Sequence, residues 1–246
     1  MKRELNGINI TYRITRQSEK FVLLLHGWGG NLNGFRSLEK FLIESGFSVL
    51  TLDFPGFGGS DQPNENFNLW DYKKIVLELL KAENIQKTSI VAHSFGGRVT
   101  FLLASENPEV VDKLVLCDVA GVKPRFNLSL QFKIWRYKLL KKLKEKGMIK
   151  KDLILSYGSD DYRAMPEKLR PVFNRIVKTD LTNKLSNITA PSLIVWGKKD
   201  KDTPYYMAKK INKKIKDSAI ITFEGGHFCY LDDSERFNLI VENFLE

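Results

Sequence analysis

Ser89-Ile90-Val91-Ala92-His93-Ser94-Phe95-Gly96-Gly97-Arg98-Val99 reads as a buried strand, a tight turn and the start of a helix. Ser94 falls at the apex of that turn, where a strained backbone lifts the hydroxyl clear of the sheet. Close packing around such a turn demands small residues two before and two after the apex, and Ala92 and Gly96 meet that demand. The form is that of a nucleophile elbow with alanine at the first small position. The same string also fits a plain strand-to-helix turn whose serine caps the helix. The rest of the chain bears on which reading holds.

At 246 residues the chain has room for one large α/β domain with an insertion. Hydrophobic residues make up 43% and charged residues 28%, an ordinary balance for a soluble globule. The amino-terminal stretch MKRELNGINITYRI lacks the apolar core of a signal peptide. No stretch approaches the roughly 20 apolar residues of a membrane span. Cys117 and Cys229 are too few for a disulfide framework, and no metal-ligand spacing is seen. The expectations are a cytoplasmic protein with no cofactor, no metal and no transmembrane segment.

Working outward from the elbow, Phe21-Val22-Leu23-Leu24-Leu25 and Ser48-Val49-Leu50-Thr51-Leu52 are short apolar runs of the kind buried parallel strands require. Lys113 to Cys117, Ser192 to Trp196 and Ala219 to Phe223 read the same way. Ile8 to Ile14 alternates and reads as an antiparallel edge. Helical spacing marks Phe35 to Ser45, Asn68 to Asn84, Phe95 to Glu106, Tyr205 to Ile215 and Ser234 to Phe244. Strands alternating with helices predict an α/β fold with a doubly wound, mostly parallel sheet. The alternation breaks over 121–185, which is helical and basic in character. The expected organisation is therefore a core of 1–120 and 186–246, with a helical lid inserted after the sixth core strand.

Ligands of an open parallel sheet bind at the carboxyl ends of its strands. A serine hydroxyl becomes a good nucleophile there only when a base takes its proton and a carboxylate orients that base. His227, in Glu224-Gly225-Gly226-His227 just past the last strand, is the leading base. Asp200, in Trp196-Gly197-Lys198-Lys199-Asp200, is the leading acid. Asp202 is a nearby alternative that also suits a helix cap, and Asp118, after the strand ending at Cys117, is a second possible acid position. His227 as a satisfied loop histidine is the plain alternative.

The order Ser94, Asp200, His227 is the order of α/β-hydrolases. Over nearly its full length the sequence resembles that family. The resemblance is carried by His26-Gly27-Trp28-Gly29, Asp53-Phe54-Pro55-Gly56-Phe57-Gly58-Gly59-Ser60, Ala92-His93-Ser94-Phe95-Gly96-Gly97, Trp196-Gly197-Lys198-Lys199-Asp200 and Gly225-Gly226-His227. Ala92 in place of glycine is a mild departure. The resemblance implies a serine hydrolase acting through an acyl-enzyme on a carboxylic ester or thioester. It implies an oxyanion hole from the backbone N–H groups of Trp28 and Phe95. It gives Asp53 the part of loop organiser, His26 that of a brace and His93 that of a pocket wall. Some relatives hydrolyse carbon–carbon bonds of dienoate ring-cleavage products, and some members of the fold bind ligands without catalysis. Both remain alternatives. Serine at the elbow argues against dehalogenase and epoxide hydrolase chemistry, where the family places aspartate.

The net charge of +10 is uneven: 131–151 holds nine Lys or Arg against Glu145 alone. Leu128, Phe132, Trp135, Leu139 and Leu143 fall on one helical face, with Lys133, Lys138, Lys141, Lys142 and Lys144 on the other. The plain reading is an amphipathic lid helix with a solvated basic face. A sharper one is docking of an acidic carrier protein or a CoA-type substrate, as in the pimeloyl-carrier methyl esterases that the HGWG loop resembles. A third is an anionic membrane surface. Nucleic acid is not expected, because the charge sits in one segment with no recognised motif.

Overall fold

The computed structural model describes residues 1–125, 136, 140 and 165–246. Among them, eight strands form one sheet: β1 (Lys2–Leu5), β2 (Ile8–Thr15), β3 (Phe21–Leu25), β4 (Ser48–Leu52), β5 (Thr88–His93), β6 (Val111–Cys117), β7 (Ser192–Gly197) and β8 (Ser218–Phe223). The spatial order is β1-β2-β4-β3-β5-β6-β7-β8. β2 runs antiparallel to β1 and β4, and every other pairing is parallel. The helices are α1 (Arg36–Glu44), α2 (Leu69–Ala82), α3 (Phe95–Glu106), α4 (Arg170–Lys178), α5 (Tyr206–Lys214), α6 (Cys229–Asp232) and α7 (Ser234–Leu245). This is the doubly wound α/β architecture expected.

Apolar side chains on both sides of the central strands produce the two helical layers. Val22, Leu24, Val49, Val91, Val115 and Val195 pack on one face with Leu38 and Leu42 of α1 and Phe237 and Val241 of α7. Leu23, Leu25, Leu50, Leu52, Ile90, Leu114, Leu116 and Ile194 pack on the other with α2, α3 and α5. Each such side chain contributes about 1.5–3 kcal/mol on burial, so a strand like β3 is stable only with helices on both faces. α2 starts where Asn68 accepts from the Trp70 N–H (2.9 Å) and Asp71 accepts from the Asn68 N–H (2.8 Å), a reciprocal cap.

One element escapes the pattern reading, and it takes the edge position expected for Ile8 to Ile14, whose strand β2 is paired on both sides. β1 pairs with β2 through the two-residue turn Asn6-Gly7, with Leu5 opposite Ile8. Asn6 has φ 49° and Gly7 has φ 74°, the left-handed pair that a tight hairpin needs. Four residues are too few to show a period, but the Asn-Gly dipeptide beside the alternating Ile8 to Ile14 run was the available signal.

Of the segment 121–185, the structure describes 121–125 and 165–185 continuously, and these include α4. Leu128, Phe132, Trp135, Leu139 and Leu143, and the basic segment 131–151 apart from Arg136 and Leu140, lie outside the described residues. Among the described residues no helix is long and apolar enough to cross a membrane.

Candidate active site

The carboxyl ends of β3, β5, β6, β7 and β8 converge. Ser94 follows β5 with φ 46° and ψ −108°, a strained conformation for a residue with a side chain. Its carbonyl accepts from the Gly97 N–H (3.1 Å) and the Ala120 N–H (2.9 Å), and its own N–H donates to the Cys117 carbonyl (3.2 Å). These bonds hold the strained turn from both sides. The Ser94 side chain makes no capping bond to α3, so the helix-cap reading does not describe it. Gly96 is required by close approach, since a Cβ there would overlap the Leu25 carbonyl.

His227 Nδ1 lies 2.9 Å from Asp200 Oδ2. The other Asp200 oxygen accepts from the backbone N–H groups of Asp202 (2.8 Å) and Thr203 (3.0 Å), and Oδ2 also accepts from Thr203 Oγ1 (2.6 Å). Four donors thus surround one buried carboxylate. Burial works to raise its pKa, but the hydrogen bonds from His227 and Thr203 outweigh this and leave it below the usual carboxylate range. Burial works to lower the His227 pKa, while the hydrogen bond and charge of Asp200 raise it, and the net direction is up.

Asp118 is placed differently. It is fully buried with φ 45°, and its Oδ1 accepts from the Gly197 N–H (2.8 Å). Its Oδ2 makes no hydrogen bond to nitrogen or oxygen and has the Cys229 thiol, a weak donor, nearby. Burial pushes its pKa up to about 7. Its carboxylate makes no direct bond to the imidazole, whose Nδ1 is taken by Asp200. Asp202 is exposed and does not cap α5, whose start carries no side-chain cap. The imidazole of His227 and the carboxylates of Asp200 and Asp202 come within 4.8 Å of one another. The four donors on Asp200 leave no lone-pair direction of that carboxylate for a metal ion.

Two further histidines flank the site and are held neutral. Phe54 N–H donates to His26 Nε2 (3.0 Å), so Nδ1 carries the proton and donates to the Gly27 carbonyl (2.7 Å). Burial lowers the His26 pKa to about 4. His93 Nε2 donates to the His227 carbonyl (2.8 Å), and burial, aided by the neighbouring His227, lowers its pKa to about 3. His93 therefore braces the loop that carries His227 as well as walling the cavity. Asp53 accepts from the Leu32 N–H (2.6 Å) and the Gly59 N–H (2.8 Å), binding two loops together.

A cavity of about 710 Å³ holds Ser94 and His227 in its wall together with Gly27, Trp28, Phe57 and Leu169. The Trp28 ring packs edge-on against Phe57, Phe95 and Phe173 at centroid distances of 4.8, 5.2 and 5.0 Å. The side chains of Trp28 and Phe95 thus lock their two loops to each other. Among the described residues, neither the Trp28 nor the Phe95 backbone N–H has a hydrogen-bond acceptor. The sequence reading missed Thr203, the bracing by His93, and the contributions of Phe57 and Leu169 to the wall. Only Thr203 carried a local signal, as a hydroxyl three residues beyond the leading acid.

Fold and site together define a class. The sequence profile of the alpha/beta hydrolase fold matches residues 20–145, and the chain belongs to that family. It is a hydrolase. It is 28% identical over 99% of its length to the uncharacterized protein Rv2715 of Mycobacterium tuberculosis, covering 80% of that protein. It is 26% identical to the 2-hydroxy-6-oxononadienedioate/2-hydroxy-6-oxononatrienedioate hydrolase of Escherichia coli, covering 97% of this chain and 91% of that one. The structure of a hydrolase from Pseudomonas aeruginosa superposes with a TM-score of 0.77 at 23% identity, covering 98% of this chain and 95% of that one.

Proposed function

We propose that this chain hydrolyses a carboxylic ester or thioester through a Ser94–His227–Asp200 triad. The observation that carries this reading is Ser94, strained and uncapped, in one cavity wall with an imidazole whose far nitrogen meets an ionised carboxylate. His227 Nε2 takes the Ser94 proton as Oγ attacks the carbonyl carbon. The tetrahedral oxyanion is stabilised by the backbone N–H groups of Trp28 and Phe95, fixed before reaction. His227 then protonates the leaving group, and in the second half it activates the water that releases the acid. Asp200 keeps the proton on Nδ1, so that Nε2 is the basic nitrogen. No cofactor takes part in these steps.

Residues 121–185 serve as a cap over the core of 1–120 and 186–246. Met165, Pro166 and Leu169 stand in the cavity wall, and Phe173 of α4 touches Trp28. The basic segment 131–151 remains a candidate dock for an acidic carrier protein or CoA-type substrate.

The test is hydrolysis of p-nitrophenyl esters from acetate to decanoate by the wild type and Ser94→Ala. A chain-length optimum is expected in the wild type, with kcat/KM reduced by roughly 10³-fold or more in the variant. Undiminished turnover by Ser94→Ala would overturn the reading. A second reading, carbon–carbon hydrolysis of a dienoate, draws on the substrate named for the Escherichia coli relative. Such substrates bring carboxylates, whereas among the described residues the cavity wall holds no Lys or Arg. Turnover of a 2-hydroxy-6-oxodienoate in the absence of esterase activity would favour the second reading.

A further inference from the structure

A second cavity, of about 330 Å³, lies on the other side of the acid turn. It shares Asp202 with the catalytic cavity and has Thr203 in its wall. Among the described residues its cations are Arg98, Lys123 and Lys178, and its acids are Asp180 and Asp202. Three positive charges against two negative ones leave a single charge for an occupant to neutralise.

Arg98 makes this cavity unusual. It stands four residues after Ser94 in the first turns of α3 and is half-buried. Its Nη1 donates to the carbonyls of Ile176 (3.0 Å) and Thr179 (2.9 Å), capping the carboxyl end of α4 and fixing the guanidinium plane. Among the described residues, Nε and Nη2 make no hydrogen bond, and no carboxylate lies within ion-pair distance. Asp180 turns its carboxylate to Thr182, accepting from that residue's N–H (3.0 Å) and Oγ1 (2.5 Å). Burial lowers the Arg98 pKa to about 10, and the charge of nearby Asp180 opposes that shift. A guanidinium fixed on one edge and unpaired on the other matches the planar geometry of a carboxylate or phosphate.

We propose that this cavity is an anion subsite, in which Arg98, with Lys123 and Lys178 beside it, binds a carboxylate or phosphate group. The group is either the remote end of a substrate reaching past Asp202 or a separate small anion. The inference does not rest on the triad, since it concerns binding alone.

Inorganic phosphate is the probe, read by thermal shift against sodium chloride at equal ionic strength. The wild type is expected to show saturable stabilisation by phosphate. Lys123→Gln/Lys178→Gln is expected to weaken it about tenfold. Lys213→Gln/Lys214→Gln removes the same charge from exposed positions on α5 and is expected to leave it within about twofold. Arg98 is left intact because its Nη1 also caps α4. Equal weakening in both double variants, or a wild-type response that follows ionic strength alone, would overturn the proposal. Inhibition assays then separate the two sources. Competition by phosphate against a dicarboxylic half-ester, with a neutral ester of equal length unaffected, identifies the substrate's own end. Equal effects on both esters identify a separate anion.

Discussion

The turns after β6 and β7 each bury a carboxylate at the end of a parallel strand, on neighbouring strands, and treat it in opposite ways. Asp200 meets four donors, two backbone N–H groups, a hydroxyl and an imidazole, and is held ionised. Asp118 meets one backbone N–H and a thiol, and burial brings its pKa up to about 7. Burial is comparable, with Asp200 at 5% and Asp118 at 0% exposure. At similar depth, more hydrogen-bond donors hold Asp200 ionised, while Asp118, with fewer, yields to burial and to the neighbouring Asp200 charge.

The largest expected effect tests that contrast directly. Asp200→Asn should lower kcat/KM by roughly 10³–10⁴-fold, because the amide favours the wrong imidazole tautomer. Asp118→Asn should stay within about threefold. Steady-state kinetics on both variants would break the comparison if the losses were alike.

A smaller effect concerns pH. The active imidazole is neutral and its pKa is raised, so kcat/KM should fall with acidification through a limb above the free-histidine value of about 6.5. Thr203→Val removes one donor from Asp200, makes that carboxylate more basic and strengthens its hold on the imidazolium. The limb should therefore move to higher pH by about half a unit, at a cost of a few-fold in kcat, and Thr203→Ser should restore it. A pH–rate profile in which valine and threonine coincide would remove Thr203 from the positioning role.

A third effect is on stability. The folded pKa of Asp118 stands above its unfolded value of about 3.9, so the folded state holds the proton over that window. Stability conferred by the neutral acid is complete at low pH and declines as pH rises toward 7, with a slope of up to about 1.4 kcal/mol per unit. Asp118→Asn should flatten that slope. Urea midpoints at pH 5 and pH 8 for both proteins measure it.

The sheet was legible because central parallel strands are apolar on both faces, as in Phe21 to Leu25. β1 was not, since four residues cannot display a period and only Asn6-Gly7 betrayed the hairpin. Ser94, Asp200 and His227 could be nominated because strand-end turns with small residues have local signatures. Asp200 could be ranked above Asp118 because it stands in the Trp196-Gly197-Lys198-Lys199-Asp200 turn, but the donors that separate the two carboxylates, Thr203 and His227 on one and Gly197 on the other, are brought together only by the fold. Thr203 and Arg98 acquire their surroundings from residues far away in the chain, such as His227 for one and Ile176 for the other.

β8 is the outermost strand at its end of the sheet, flanked on one side alone and only partly buried along most of its length. His227 hangs just beyond it, whereas Ser94 directly follows a strand paired on both sides. In kinetic terms, a refolding chain can assemble the elbow with its central sheet while the edge is still undocked. Catalytic competence then becomes a marker for the arrival of the last strand, and its recovery should trail that of bulk secondary structure.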